Sequence, residues 1–189
     1  MVHRVAARGF TLIEMLLVVS IFGFMVLIAA PKIDLQKFSV ESAMQSTGTT
    51  LLVAQRFAVT RQHNIIVVLD TSAQALRILD DANNNGKADA GEHLRVVPLN
   101  DHIVFGLGGA PPLGSWVGPV SFTKQFGNLP AVTFHRDGSA SEGGAIYLTT
   151  ARAARDPTHA GDTRVIEIER ATARVSWYRA APPSWRRGF

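Results

Sequence analysis

Phe10 to Ala30 is an apolar run interrupted only by Thr11, Glu14, Ser20 and Gly23. About 20 apolar residues suffice to cross a bilayer as a helix, so a transmembrane helix is predicted over residues 10–30. His3, Arg4 and Arg8 precede the run with no acid among them. Positive charge keeps its side of a span in the cytoplasm, so the remainder of the chain is expected on the far side. The run is longer than the 7–15-residue apolar stretch of a secretory signal peptide. It also carries a carboxylate, and a charged side chain within hydrocarbon costs about 2.5–3.5 kcal/mol on insertion scales. Glu14 needs a partner.

Gly9-Phe10-Thr11-Leu12-Ile13-Glu14, followed by that apolar run, resembles the cleavage motif of type IV pilins and type II secretion pseudopilins. The resemblance implies that a prepilin peptidase cuts between Gly9 and Phe10 and that the new amino terminus of Phe10 is N-methylated. It also implies that Glu14 of one subunit meets the Phe10 amine of a neighbour as apolar helices pack side by side. A buried carboxylate is tolerable when paired and expensive when not, so docking would relieve the cost of an isolated subunit. Pro31 falls where such proteins commonly carry a helix-breaking proline. The implied partners are other pilin or pseudopilin subunits, the prepilin peptidase and an inner-membrane assembly platform. The implied location is the inner membrane, single-pass, with the amino terminus cytoplasmic, the carboxy-terminal domain periplasmic, and the subunit in a filament after assembly.

Beyond Pro31, which should kink or loosen the helix, Leu35, Phe38, Ala43, Met44, Thr47, Leu51, Ala54, Gln55 and Ala58 recur at three and four spacing. Lys37, Glu41, Gln45 and Arg56 lie on other faces. This is an amphipathic helix running to about Arg61. From Asn64 onward short β-branched runs alternate with turn residues, at 65–69, 75–79, 94–97, 103–105, 131–134, 145–148, 165–168 and 173–177, which reads as antiparallel sheet. Glycine and proline gather at 106–119, a loop, and a second loop is expected over 151–163. The predicted class is α+β and pilin-like: a long amino-terminal helix, transmembrane then amphipathic, packed on a small antiparallel β-sheet domain. The expected divisions are a cytoplasmic leader at 1–9, a transmembrane helix at 10–30, an amphipathic helix at 31–62, a periplasmic β-rich domain at 63–179 and a basic tail at 180–189.

VTFHRDGSASEGGAIYL, residues 132–148, and the strands that follow resemble the carboxy-terminal region of the GspH/FimT family of minor pilins. That resemblance implies a minor pseudopilin of the type II secretion pseudopilus, or a related type IV pilus subunit, that supports protein secretion by assembly. The alternative it carries is a FimT-like minor pilin that binds DNA for uptake. No acid follows Glu169, whereas Arg174, Arg179, Arg186 and Arg187 interleave with Trp177, Tyr178 and Trp185, a mixture that single-stranded nucleic acid binders use. Where a FimT-type element would read Gly-Arg-x-Arg, this chain reads Ala173-Arg174-Val175-Ser176.

Asp81 to Glu92 matches the calcium-loop pattern D-x-[DN]-x-[DN]-G-x5-E. Asp81, Asn83, Asn85, Asp89 and Glu92 would supply side-chain oxygens and Lys87 a backbone carbonyl to calcium, the one cofactor the sequence suggests. A polar hairpin loop explains the same residues, because Asp, Asn and Gly are the usual turn formers. The flanking runs read as strands, not as the helices of an EF-hand. With no cysteine in the chain, disulfides, thiolate metal sites and cysteine nucleophiles are excluded. Nucleophile-elbow, phosphate-loop and zinc-protease signatures are absent from the sequence, so the chain is not expected to be an enzyme.

Overall fold

The computed structural model of the chain describes residues 10–29, 35–99 and 102–188. It separates into two units, Met1–Leu35 and Gln36–Phe189. In the first, helix α1 (Leu12–Ala29) opens with a capping box. Thr11 Oγ1 accepts from the Glu14 amide at 3.3 Å, while the Glu14 carboxylate accepts from the Thr11 amide at 3.1 Å and its hydroxyl at 3.2 Å. The reciprocal pair satisfies two of the amides that every helix start leaves open. Ser20 donates its hydroxyl to the Leu16 carbonyl at 2.8 Å, so both polar side chains of α1 are engaged with local backbone. The large apolar side chains of α1 are all exposed, from Val18 at 43% to Leu12 at 79%. As described, α1 has 18 residues, about 27 Å at 1.5 Å per residue, just under the ~30 Å of bilayer hydrocarbon. Among the described residues no helix is long and apolar enough to cross a membrane. Gly9, Pro31 and the kink expected there lie outside the described residues.

Helix α2 (Leu35–Arg61) carries the amphipathic pattern into the second unit. Val40, Ala43, Met44, Thr47, Gly48, Leu51, Ala54 and Ala58 are buried, and their three and four spacing puts them on one side of the helix. Leu35 and Phe38, expected on that face, are each 69% exposed. Gly48 is in the stripe because a β-carbon there would lie 2.4 Å from Trp177 Nε1. Gln55 donates to the carbonyls of Gly138 and Thr172 at 3.2 and 2.9 Å, which fastens the helix to two loops.

The β portion is two sheets where one was expected. The first has the order β3-β2-β1-β6-β5, formed by β1 (Asn64–Asp70), β2 (Ala75–Asp81), β3 (Leu94–Pro98), β5 (Gln125–Phe126) and β6 (Leu129–Phe134). The second has the order β10-β9-β8-β7-β4, formed by β4 (Ile103–Phe105), β7 (Gly144–Thr150), β8 (Arg164–Ile168), β9 (Val175–Ala181) and β10 (Ser184–Arg187). All pairings are antiparallel. The Asp137-Gly138 turn joins β6 to β7, which lie in different sheets. Ser141 N–H donates to Thr133 C=O and Ala140 N–H to Arg170 C=O, each at 2.8 Å, so this connection stitches the sheets together.

Alternation explains the layers. Ile65, Val67 and Leu69 of β1 enter the main core with Met44, Leu51, Phe134, Ile146, Leu148 and Ile166, while Ile66 and Val68 face the other way with Leu79 and Ala131. Strand β7 is buried at all seven positions. Its outward residues Ala145 and Tyr147 lie with Leu113 and Trp116 of the glycine-rich loop. The Tyr147 hydroxyl donates to Trp116 C=O at 2.6 Å and accepts from Leu113 N–H at 2.8 Å. Loop 106–119 is thus the cover of the second sheet.

Candidate assembly site

Of the processing residues, Phe10 is 82% exposed at the foot of α1, and Glu14 lies one turn further on in the capping box. Glu14 is therefore not bare in a single chain. Its carboxylate is held by Thr11, and a neighbour's amine would have to compete with or join those two bonds. The Thr11-x-x-Glu14 spacing is itself a capping-box signature, so this contact was present in the sequence beneath the reading of Glu14 as a docking group. Around it, α1 presents apolar side chains on every side. Water solvates such a helix poorly, and lipid or other helices solvate it well.

The loop from Asp81 to Glu92 closes the β2–β3 hairpin. Asp81 is fully buried and accepts from Asn85 N–H and Gly86 N–H at 3.0 and 2.9 Å. Gly86 supplies the turn with φ +72°, a conformation that costs glycine nothing. Asn83 and Asn85 direct their amide nitrogens at Asp89, and both bonds hold its carboxyl below the usual carboxylate range. Glu92 accepts from Ala82 N–H and Asp89 N–H at 3.1 and 3.0 Å. Lys87 donates its amide to Asn85 Oδ1 at 2.8 Å. The oxygens proposed as ligands thus serve the loop's own amides, and the Asn83 and Asn85 side-chain nitrogens are turned to Asp89 while their Oδ1 atoms accept from Asn85 N–H and Lys87 N–H. Among the described residues no group of three or more His, Cys, Asp or Glu side chains could hold a metal ion. In this arrangement the loop closes on its own hydrogen bonds as a polar hairpin turn.

Within the basic segment expected as a tail at 180–189 the described residues form a hairpin, with β10 pairing to β9 from Ser184↔Ala181 to Arg187↔Tyr178. Trp177 packs on the main core. Trp185 donates Nε1–H to Pro111 C=O at 3.1 Å and meets the edge of Tyr147 with ring centroids 6.1 Å apart. The two indoles work inside the fold and do not form an open stacking surface. Arg187 donates to Ser176 Oγ at 3.2 Å, Arg174 lies 3.7 Å from Glu169, and Arg186 pairs across the hairpin with Arg179 in register.

Arg179 belongs to a different construction. Its Nη2 donates to Glu41 Oε1 at 2.7 Å, and Arg164 Nε donates to Glu41 Oε2 at 3.0 Å. Burial pushes the Glu41 carboxyl up, but the bonds from Arg179 and Arg164 outweigh it and hold the group below its ordinary value. One carboxylate on α2 thus ties the helix to β8 and β9. The sequence pattern placed Glu41 off the apolar stripe; only the packing of the second sheet brings both arginines to it.

An apolar helix with a capped, exposed start is joined in one chain to a helix-and-sheet domain, the class of subunit that the resemblance to pilins implies. Comparison with known proteins narrows the class. The Prokaryotic N-terminal methylation motif matches residues 4–30, and the family Type II transport protein GspH matches residues 43–172. The second match spans more than half of the chain, which belongs to the GspH family. Among solved structures the chain is similar to the minor pseudopilin EpsH from the Type 2 Secretion System of Vibrio cholerae, at 14% identity and a TM-score of 0.46, over 76% of this chain and 96% of that one. No curated protein matches it in sequence.

Proposed function

We propose that this GspH-family chain works as a minor pseudopilin of type II secretion, assembling through α1 and presenting its β domain on the periplasmic side. In this reading residues 10–30 span the inner membrane, the prepilin peptidase removes residues 1–9, and Phe10 becomes a methylated amino terminus. Glu14 then exchanges or shares its Thr11 bonds with the Phe10 amine of a neighbouring subunit. A charge-assisted bond made in a desolvated setting is stronger than the exposed capping contacts it joins, so association is favoured where the helices exclude water. The work is assembly, with the inner-membrane platform and other pseudopilins as partners.

The observation that carries this reading is the placement of Glu14 one turn from an exposed Phe10, in a helix whose apolar side chains are all open. The test is mass spectrometry of the protein from secreting cells, beside a Glu14→Ala variant. A chain beginning at methylated Phe10 is expected, with the variant processed but at least tenfold depleted from filaments. Retention of the first nine residues in the wild-type product would overturn the proposal.

A further inference from the structure

The first sheet ends on an open edge. Strand β3 is the outermost strand at one end, and Leu94 and Val96 are 53% and 52% exposed. Asp80 N–H donates to His93 C=O, and Leu99 N–H donates to Gln74 C=O. Between these bonds the register runs Leu79↔Leu94, Ile78↔Arg95, Arg77↔Val96, Leu76↔Val97. Bonded and open pairs alternate in an antiparallel ladder. That phase gives Arg95 and Val97 to β2, and it turns the amides and carbonyls of Leu94 and Val96 off the sheet. Such a row of unpaired groups is a template for another strand.

Beneath this edge runs a groove of about 330 Å³ whose lining includes Val53, Phe57 and Arg61 of α2, Ile78 of β2, and His93 and Arg95. Val53, Phe57 and Arg61 stand four residues apart and so form one row along the helix. Phe57 remains 41% exposed, with the Arg61 guanidinium 4.6 Å above its ring. The groove is open because the sheet stops at β3, leaving that helical row without a roof. Neighbouring strands lie ~4.8 Å apart, so one further strand would bring alternate side chains over Val53 and Phe57.

The charge of the groove selects the occupant. Asp80 is the only acid in the lining, and Arg61 and His63 both bond to it. Arg95 has no acidic partner among the described residues. The unspent charge is positive, and an opposite charge across from it on an added strand is favourable. Symmetric pairing of two copies through β3 would instead bring two Arg95 side chains onto one face, where like charges repel.

We propose that β3 and the groove receive an extended apolar segment of a different, neighbouring subunit, with a carboxylate opposite Arg95, added as one more strand of the first sheet. The proposal rests on the assembly reading and names the surface that serves it. Pro98 at the end of β3 offers no amide and confines the donors to Leu94 and Val96, so the contact is short.

Hydrogen–deuterium exchange of the full chain, alone in detergent and in filaments isolated from secreting cells, tests it beside three variants. Val96→Pro removes an outward amide without touching the β2 ladder, Arg95→Glu reverses the charge, and Glu14→Ala reports on helix docking. Exchange at Leu94 and Val96 is expected to slow at least tenfold on assembly, and both β3 variants to be depleted at least tenfold from filaments while α1 is still processed. Unchanged exchange overturns the proposal, as does normal incorporation of Arg95→Glu, which leaves the backbone intact should Val96→Pro fail to fold. Slowing that already occurs in the concentrated lone chain identifies a second copy as the occupant and overturns it too. Normal incorporation of Glu14→Ala would sink the assembly reading itself; loss with Glu14→Ala but not with the β3 variants sinks only the added strand.

Discussion

Helices α1 and α2 make an instructive pair. Both are helical without interruption over their described lengths, yet every large apolar side chain of α1 is exposed while α2 buries one stripe from Val40 to Ala58. The stripe of α2 is matched inside its own unit by β1, β6, β7 and β8. The surface of α1 has no such match within α1. A helix with one apolar face is satisfied by a partner along that face, whereas a helix apolar all round is suited to an apolar surround on every side. Stability should therefore be housed in α2 and association in α1.

Paired truncations test that division most strongly. Leu51 is fully buried and Leu17 is 60% exposed. Leu51→Ala should cost about 2–5 kcal/mol in urea unfolding of the detergent-solubilised chain. Leu17→Ala should stay within about 0.5 kcal/mol. Equal losses would break the contrast.

The glycines sharpen it with opposite signs. A β-carbon at Gly48 meets Trp177, whereas nothing lies within 4 Å at Gly23. Gly48→Ala should destabilise by about 1–3 kcal/mol through overpacking and shift the Trp177 fluorescence. Gly23→Ala should instead raise helix content, since Ala is favoured over Gly in a helix by about 1 kcal/mol.

The smallest effect concerns the Glu41 link between α2 and the second sheet. Breaking a fully buried pair costs about 3–5 kcal/mol, and the partial exposure of Arg179 and Glu41 reduces this to about 1–2 kcal/mol. Glu41→Gln should lose that much at neutral pH. Because the folded carboxyl titrates below its ordinary value of 4.5, the contribution is present above that pH and fades as pH falls through the folded value. Melting temperatures of wild type and Glu41→Gln should stay evenly separated from neutral pH down to about 5 and converge below 4.5. A separation that persists in acid would mean that lost packing, and not the charge, is responsible.

Local pattern carried the elements well. The eight runs read as strands correspond to β1, β2, β3, β4, β6, β7, β8 and β9, and the α+β pilin-like class holds. The two strands that went unread have local causes. Strand β5 has two residues, too few for any alternation to show. Strand β10 carries two arginines after a double proline, a composition that reads as solvated tail until β9 and Tyr147 give Trp185 something to pack on. The loop at 81–92 shows the converse. Its spacing fits an ion and a turn equally well, and the bonds that Asn83 and Asn85 make to Asp89 are recorded in no local pattern.

What the sequence determined by itself was everything written in neighbouring residues: the apolar run, the helix start at Thr11 and Glu14, the stripe of α2, most strands and the motif that precedes Phe10. These follow from periods of 3.6 and 2 and from bonds that span a few positions. Tertiary structure alone decided that the strands divide into two sheets, that Glu41 receives Arg164 and Arg179, that the carboxy-terminal indoles turn inward, and that β3 is left as an open edge above a groove. Those outcomes depend on contacts between residues up to 138 positions apart, and side-chain chemistry specifies such partners only once the layers have packed.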